Sequence, residues 1–330
     1  MPLAGYGFVL LAAGLWALIG PLARYCLAEG VTPLEIAFWR ATFGALFFGL
    51  HAARHGLWRA PARDAAAFAV FGLVGVALFF GSYQLAVREG GAALASILLY
   101  TAPAWVALLS RLCFAEPLTR AKLAALGLAM AGAFLICRSG GGLQGGTSAA
   151  GIGFGLLAGF TYSLHYVFSR HFLHRHSPVT LYLFCLPVGA LALLPFVDFA
   201  PKGPLAWALL VLGMGLVTTY GAYMAYCEGM RRLSPTRVAV VANFEPVLAA
   251  LLAYWLWDEL FPPSGWLGAG LVIAAVFCVV LDGARGRDRH DGGVSRAVGA
   301  ACARDAAQTE TATETADDDT GLTRGHMPVE

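Results

Sequence analysis

This sequence has little charge. Asp, Glu, Lys and Arg make up 13% of its 330 residues, against roughly 25% in a soluble domain. Most of its surface must therefore face something other than water. The few charges fall between long apolar runs and in the C-terminal tail, and no basic stripe points to nucleic acid. Patterned cysteine spacing is also absent. The seven cysteines (Cys26, Cys113, Cys137, Cys185, Cys227, Cys278 and Cys302) form no CxxC pair, and six lie in or at the ends of apolar runs. They read as small packing residues, with no disulfide framework, metal site or cofactor expected. No GxSxG, HExxH or P-loop pattern occurs, which argues against an enzyme and against ATP-driven transport by this chain alone. No basic region precedes the first apolar run and Leu11-Ala-Ala-Gly14 is not followed by Cys, so that run reads as a retained helix.

What is present is apolar length, with 58% of residues hydrophobic. A membrane-spanning helix takes about 20 apolar residues, because it rises 1.5 Å per residue through a hydrocarbon core about 30 Å thick. Ten runs fit. The first five are Gly5–Leu27, Pro33–Leu50, Ala65–Val87, Ala92–Phe114 and Ala121–Cys137. After a glycine-rich connector come Gly151–Phe168, Val179–Val197, Leu205–Cys227, Arg237–Trp257 and Gly265–Leu281. Run length, without strict apolar/polar alternation, predicts helices rather than a barrel. The fold class expected is thus an all-α integral membrane protein of ten transmembrane helices.

The basic residues set the orientation. With both termini cytoplasmic, the inner loops hold Arg54, Arg59, Arg63, Arg111, Arg120, Lys122, Arg170, Arg175, Arg231, Arg232, Arg237, Arg285, Arg287 and Arg289. The outer side keeps only Arg24, Arg88, Arg138 and Lys202, as the positive-inside rule requires. From Asp282 the composition turns to Gly, Ala, Thr, Asp and Arg, ending near Asp317, Asp318 and Asp319. Too little apolar area is available there to offset chain entropy, so residues 284–330 read as a disordered cytoplasmic tail.

The chain also repeats. A shift of 143 residues aligns Tyr83 with Tyr226, Arg88 with Arg231, Pro103 with Pro246, Glu116 with Glu259 and Gly127-Leu128 with Gly270-Leu271, without a gap. Two five-helix halves follow, residues 1–138 and 151–283, joined by the connector 139–150. Five is odd, so the second half enters the membrane from the opposite side. Inverted repeats of this kind build related gates around a midplane site and give alternating access.

At the residues Leu99-Tyr-Thr-Ala-Pro-Ala104 and Ala115-Glu-Pro-Leu118, then Asn243-Phe-Glu-Pro-Val247 and Asp258-Glu259, with Trp39-Arg40 in the second helix, the sequence resembles the EamA-like family of the drug/metabolite transporter superfamily. The resemblance spans about residues 5–281. It implies ten helices, a central cavity lined by helices one, three, four, six, eight and nine, and export of small metabolites or drugs across a plasma or inner membrane. The C-terminal tail lies outside that resemblance.

Glu245 is the leading candidate for the chemistry. A charge at membrane depth costs at least about 2.5 kcal/mol and marks function by default. It directly precedes Pro246, and its repeat counterpart is Ala102, so it breaks the symmetry. It could take a proton or meet a cationic substrate group. Arg40, whose counterpart is Cys185, must pair or reach water at its depth; a substrate carboxylate, Glu35 and Glu245 are the open partners. Pro103 and Pro246 break or kink their helices at matching heights and are candidate gating positions. Trp16, Tyr83, Tyr100, Tyr162, Tyr166, Tyr220, Tyr223 and Asn243 lie at inner depths of the expected cavity helices. Rings with a polar tip suit a partly wet pocket for flat or cationic solutes, though packing explains such residues equally well. Glu116 and Glu259 read as acids capping the start of the following helix. His165 reads as packing or as a proton relay. Gly151, Gly155 and Gly159 read as a close-packing series.

The function expected is a secondary transporter that exports small metabolites such as amino acids or related amphipathic compounds, coupled to protons through Glu245, with Arg40 setting charge preference. The alternatives are gradient-independent exchange and an intramembrane enzyme acting on lipid-linked substrates. The partners expected are a small-molecule substrate and the bilayer, with room for a homodimer.

Overall fold

The computed structural model describes residues 2–139, 148–257 and 262–283. The expected positions Asp258, Glu259, residues 140–147 of the connector and the tail 284–330 lie outside them. The first helices are α1 (Pro2–Ala17), α2 (Ile19–Ala28), α3 (Pro33–His55) and α4 (Ala62–Phe71). A π-helical segment, Gly72–Leu78, runs into α5 (Phe79–Leu99), followed by α6 (Ala102–Phe114) and α7 (Arg120–Ser139). Next come α8 (Ala149–Phe172), α9 (Pro178–Leu193), a short 3-10 turn and α10 (Pro204–Ala208). A second π segment, Leu209–Gly221, then leads into α11 (Ala222–Met230), α12 (Pro235–Ala242) and α13 (Glu245–Trp257). The last described helix, α14, is Pro263–Gly283. The described residues up to Val280 form one compact unit.

Helix ends follow local chemistry. Thr32, Ser148 and Ser177 each accept a hydrogen bond from the backbone N–H three residues on, at 3.2, 2.9 and 3.1 Å. Pro33 and Pro178 occupy first-turn positions where no N–H is missed. Gly56 ends α3 in the left-handed conformation, at φ 68°. Among the described residues, nine helices are long and apolar enough to cross a membrane. The long helix missing from those nine is α8, of 24 residues. Its Gly151, Gly155, Gly159, Tyr162, Ser163 and His165 lower its hydropathy without shortening it. Leu112, Leu191, Phe196, Trp255 and Phe277 are each more than 60% exposed, as side chains facing lipid are.

Both halves interrupt their helices at the same places. The segment leaving α5 pauses at Tyr100-Thr101 before α6, and α12 pauses at Asn243-Phe244 before α13, 143 residues later. In each, the second break residue donates to the carbonyl three back: Thr101 to Leu98 at 3.2 Å, and Phe244 to Val241 at 3.0 Å. Pro103 and Pro246 therefore sit in the first turn of the new helix, where a proline forfeits no bond. The π segment Gly72–Leu78, moved by 143 residues, falls inside Leu209–Gly221. Within α5, Gly91 takes φ 81° and ψ 161°, a reversal that needs glycine.

Small residues set the packing. A Cβ on Gly155 would lie 2.5 Å from Leu98 Cδ1, and one on Gly159 would lie 2.7 Å from the Leu98 carbonyl oxygen. The glycine series therefore lets α8 close on α5, the close-packing role expected of it. Gly132 of α7 and Gly268 of α14 face each other. A Cβ on either would lie 2.6 or 2.7 Å from the other's carbonyl oxygen.

Two buried carboxylates bind the halves together at opposite ends of the spans. Glu35, at the start of α3, is wholly buried. It pairs with Lys202 and accepts bonds from Trp39 Nε1 at 3.1 Å and Ala200 N at 3.2 Å. Glu35 is thus taken by Lys202 rather than by Arg40. Glu116, just past α6, pairs with Lys122 at 2.8 Å and accepts from Thr236 Oγ1 at 3.0 Å and Thr236 N at 3.5 Å. Glu116 therefore caps α12, a helix of the other half. The following helix α7 has its own donor-side cap, since Lys122 N donates to Thr119 Oγ1 at 3.1 Å. Sequence distance concealed this, as 120 residues separate Glu116 from Thr236.

Candidate functional site

Arg40 projects from α3 toward the second half. Its Nε donates to Thr219 Oγ1 at 3.0 Å, and Thr219 Oγ1 in turn donates to the Met214 carbonyl at 2.7 Å. That carbonyl lies five residues back along the second π segment, whose wide turn leaves it open to a side chain. The guanidinium also lies 5.4 Å from the Phe80 ring centre, within cation–π range. A neutral hydroxyl is thus the only hydrogen-bond partner of this arginine among the described residues.

The first π segment supplies a matching contact. His165 Nε2 lies 2.6 Å from the Gly75 carbonyl. Because a carbonyl only accepts, Nε2 carries the proton, and the buried Nδ1 has no partner among the described residues. This histidine is fixed by the freed carbonyl, a firmer role than packing alone.

Around these groups six rings close a loop. Trp16 packs on Tyr226 at 5.6 Å, Tyr226 on Tyr166 at 5.4 Å and Tyr166 on Tyr162 at 5.6 Å. The loop continues through Tyr162 and His165 at 6.2 Å, His165 and Tyr223 at 6.1 Å, and Tyr223 and Trp16 at 6.1 Å. The rings come from α1, α8 and α11, at spacings typical of aromatic pairs. Tyr182 of α9 stacks on Tyr223 at 4.3 Å and backs the loop from outside.

Glu245 stands at the first position of α13, directly after the break. A carboxylate there meets the positive end of the helix dipole, which favours an anion, while the N–H groups of Val247 and Leu248 donate to the Phe244 carbonyl. The break thus lowers the cost of placing an acid at this depth. Glu245 is within electrostatic reach of Tyr83, Tyr100, Tyr162, Tyr166 and Cys137, and of Arg40. No basic nitrogen lies within 4.0 Å of it among the described residues. Arg40 and Glu245 therefore act on one another through space. Tyr83 OH is 3.2 Å from Ser96 Oγ. Asn243, buried at the end of α12, leaves its amide nitrogen without a partner among the described residues, as does the Trp16 indole nitrogen.

The structure therefore gathers Arg40, Glu245, Trp16, Tyr83, Tyr100, Tyr162 and Tyr223 into one region, with Asn243 at its edge. Tyr220 is different: its hydroxyl is 2.6 Å from His51 Nδ1, away from the cluster. Sequence reasoning missed Thr219, Gly75, Tyr182 and Cys137. For Thr219 the signal was available, since Thr218-Thr219-Tyr220 is a polar step inside an apolar run.

The profile of the EamA-like transporter family matches this chain twice, over residues 3–138 and 149–281. A transporter of Archaeoglobus fulgidus is 30% identical over 263 residues, covering 78% of this chain and 91% of that protein. An inner membrane transporter of Salmonella typhimurium, YicL, is 25% identical, covering 84% and 95%. A probable terminal-alkyne amino-acid exporter of Streptantibioticus cattleyicolor is 26% identical, covering 80% and 89%. One crystal structure aligns with a TM-score of 0.72 at 21% identity, covering 85% of this chain and 98% of that one. That likeness speaks to the fold.

Proposed function

The chain belongs to the EamA-like transporter family, and from that premise we propose that it is a proton-coupled exporter of small amphipathic metabolites of the amino-acid class. A membrane transporter acting on a small molecule follows from the family; the substrate class, coupling and geometry of transport are the proposal. Its named relatives are transporters, so the intramembrane-enzyme alternative falls away.

The proposed architecture is ten spans in two inverted five-helix halves, 1–138 and 151–283, with 139–150 as connector. Both termini are placed in the cytoplasm, with 284–330 as a cytoplasmic tail. Support comes from the matched breaks and π segments 143 residues apart, and from the family profile matching once per half. The tenth span is α8, long enough at 24 residues. The breaks before Pro103 and Pro246 serve as the points about which the two halves re-pack. A homodimer would carry two such sites.

One observation carries the function: a carboxylate and a guanidinium, not paired to each other, lie by a loop of polar-tipped rings with several buried polar groups that have no partner among the described residues. Buried polar groups ordinarily find partners. An α-amino acid offers both complements, with its ammonium for Glu245 and its carboxylate for Arg40, while the rings accept an apolar or flat side chain. Proton binding at Glu245 would compete with the ammonium and couple the two.

The test is efflux and uptake of labelled amino acids in proteoliposomes, with and without a pH gradient. Wild type should concentrate substrate against a gradient, and Glu245→Gln should lose the pH dependence while still binding. Full gradient-driven transport by Glu245→Gln would refute the coupling role. Counterflow that ignores an imposed pH gradient in wild type would establish exchange instead.

A further inference from the structure

The spans that end in α6, α8 and α11 finish beside one another, and a cavity of about 520 Å³ lies between their ends. Its apolar floor is Phe114, Leu173 and Met230, and its rim carries Arg170, Arg175 and Arg231. These residues close three of the apolar runs, so the cavity sits at headgroup depth.

The charge around this cavity is not balanced. Arg231 pairs with Glu228 at 2.9 Å, and Glu228 also takes Arg232. Arg170 has no carboxylate within 4.0 Å among the described residues, and Arg175 donates only to His174 Nε2, at 3.0 Å. His171 and His174 add two further rim groups that can donate. Glu116, two residues past Phe114, is already held by Lys122 at 2.8 Å and Thr236 at 3.0 Å, and Asp64 is held by His176 at 2.6 Å. Arginines at helix C-termini complement the helix dipole, but two exposed guanidiniums lacking an acid exceed that need, and both line the same cavity as Phe114, Leu173 and Met230.

We propose that this cavity binds the phosphate-bearing headgroup of an anionic phospholipid of the inner leaflet. Arg170, Arg175 and Arg231 take the phosphate oxygens through paired N–H donors. The glycerol and upper acyl chain lie on Phe114, Leu173 and Met230. Its volume falls within the roughly 300–1,000 Å³ of small-molecule sites. Basic pockets between spans on the cytoplasmic side have this chemistry in general. The assignment to the inner leaflet rests on the orientation proposed above, whereas binding itself does not.

The test uses the purified full chain in detergent, titrated with phosphatidylglycerol, phosphatidylcholine and inorganic phosphate and read by native mass spectrometry. Phosphatidylglycerol should bind at least about tenfold tighter than phosphatidylcholine. Each arginine removed should weaken it about fivefold, so Arg170→Ala with Arg175→Ala should weaken it about 25-fold. Arg170→Lys with Arg175→Lys should retain part of the binding, and Arg54→Ala with Arg59→Ala should retain all of it. Equal affinity for the two lipids, or phosphatidylglycerol binding untouched in the folded double alanine variant, would overturn the proposal. Inorganic phosphate displacing the lipid at equal concentration would identify a free-anion site and overturn the lipid assignment. Because transport is not the readout, failure here leaves the proposed function standing, and the reverse.

Discussion

Replacing Lys202 with methionine should damage this protein more than replacing Lys202 and Glu35 together. Both side chains are buried, at 4% and 0% exposure. The Lys202 ammonium sits 5.2 Å from the Trp207 ring centre and 5.9 Å from those of Trp39 and Phe199. It also donates to the Ala200 carbonyl at 2.5 Å. Without Lys202, the Glu35 carboxylate keeps only two neutral donors, Trp39 Nε1 and Ala200 N. Breaking one partner out of a buried ion pair costs about 3–5 kcal/mol, whereas an apolar replacement of both is often neutral or better. Glu35→Leu alone strands the ammonium, but three rings remain around it at about 0.5–2 kcal/mol each, so its loss should be the smaller of the two.

The order of stability expected is therefore wild type, close to Glu35→Leu with Lys202→Met, then Glu35→Leu, then Lys202→Met. A double-mutant cycle should give a coupling of at least about 2 kcal/mol. Unfolding of the purified protein in detergent by denaturant, followed by tryptophan fluorescence, measures it. Trp39 and Trp207 line the pair and report on the site directly. Additive losses, with coupling below about 0.5 kcal/mol, would refute the reasoning. So would a Lys202→Met protein as stable as wild type.

At the centre, Thr219→Val should remove the one hydrogen-bond acceptor of Arg40 and shift the apparent affinity for carboxylate-bearing substrates, with Thr219→Ser restoring it. A transport KM series across the three proteins checks this. At the crossing of α7 and α14, Gly132→Ala places a Cβ 2.6 Å from the Gly268 carbonyl oxygen and should cost about 1–3 kcal/mol by overpacking. Gly127→Ala, where a Cβ would meet nothing within 4 Å, should be neutral or stabilising, and a thermal-shift comparison of the two separates them.

Much of the fold was legible because lipid imposes one rule on every span. Apolar length places the helices, and Thr32-Pro33 and Ser177-Pro178 mark where two of them begin. Even α8 could be read, since its glycines keep the run unbroken despite its low hydropathy. The repeat pointed to Pro103 and Pro246, yet the break itself lies two to three residues earlier at Tyr100-Thr101 and Asn243-Phe244, which nothing but hydrogen bonding distinguishes. The π segments were invisible, because an extra residue per turn leaves composition unchanged. Thr219 as the partner of Arg40 and Thr236 as a partner of Glu116 were equally hidden. Each lies across more than 100 residues of chain, and helix periodicity says nothing about which helices meet.

Three of the polar contacts that cross between the halves differ in chemistry with depth in a way that bears on transport. In lipid, apolar packing alone discriminates weakly between one helix arrangement and another, so polar contacts fix the register. At one end Glu35 holds Lys202 as a buried ion pair, and at the other Glu116 holds Lys122 and the first turn of α12. Between them, Arg40 meets the neutral hydroxyl of Thr219. A guanidinium bonded to a hydroxyl gains by exchanging it for a carboxylate, since hydrogen bonds between ionised groups are roughly twice as strong. The end contacts have no such exchange open to them, because each carboxylate there is already held by a buried ammonium, Lys202 or Lys122. In the proposed mechanism a substrate carboxylate therefore displaces Thr219 and loosens the central cross-link first. Thr219 Oγ1 keeps its bond to the Met214 carbonyl, which also accepts from Thr218 Oγ1 at 3.1 Å, so the link that opens is the one between α3 and the second π segment.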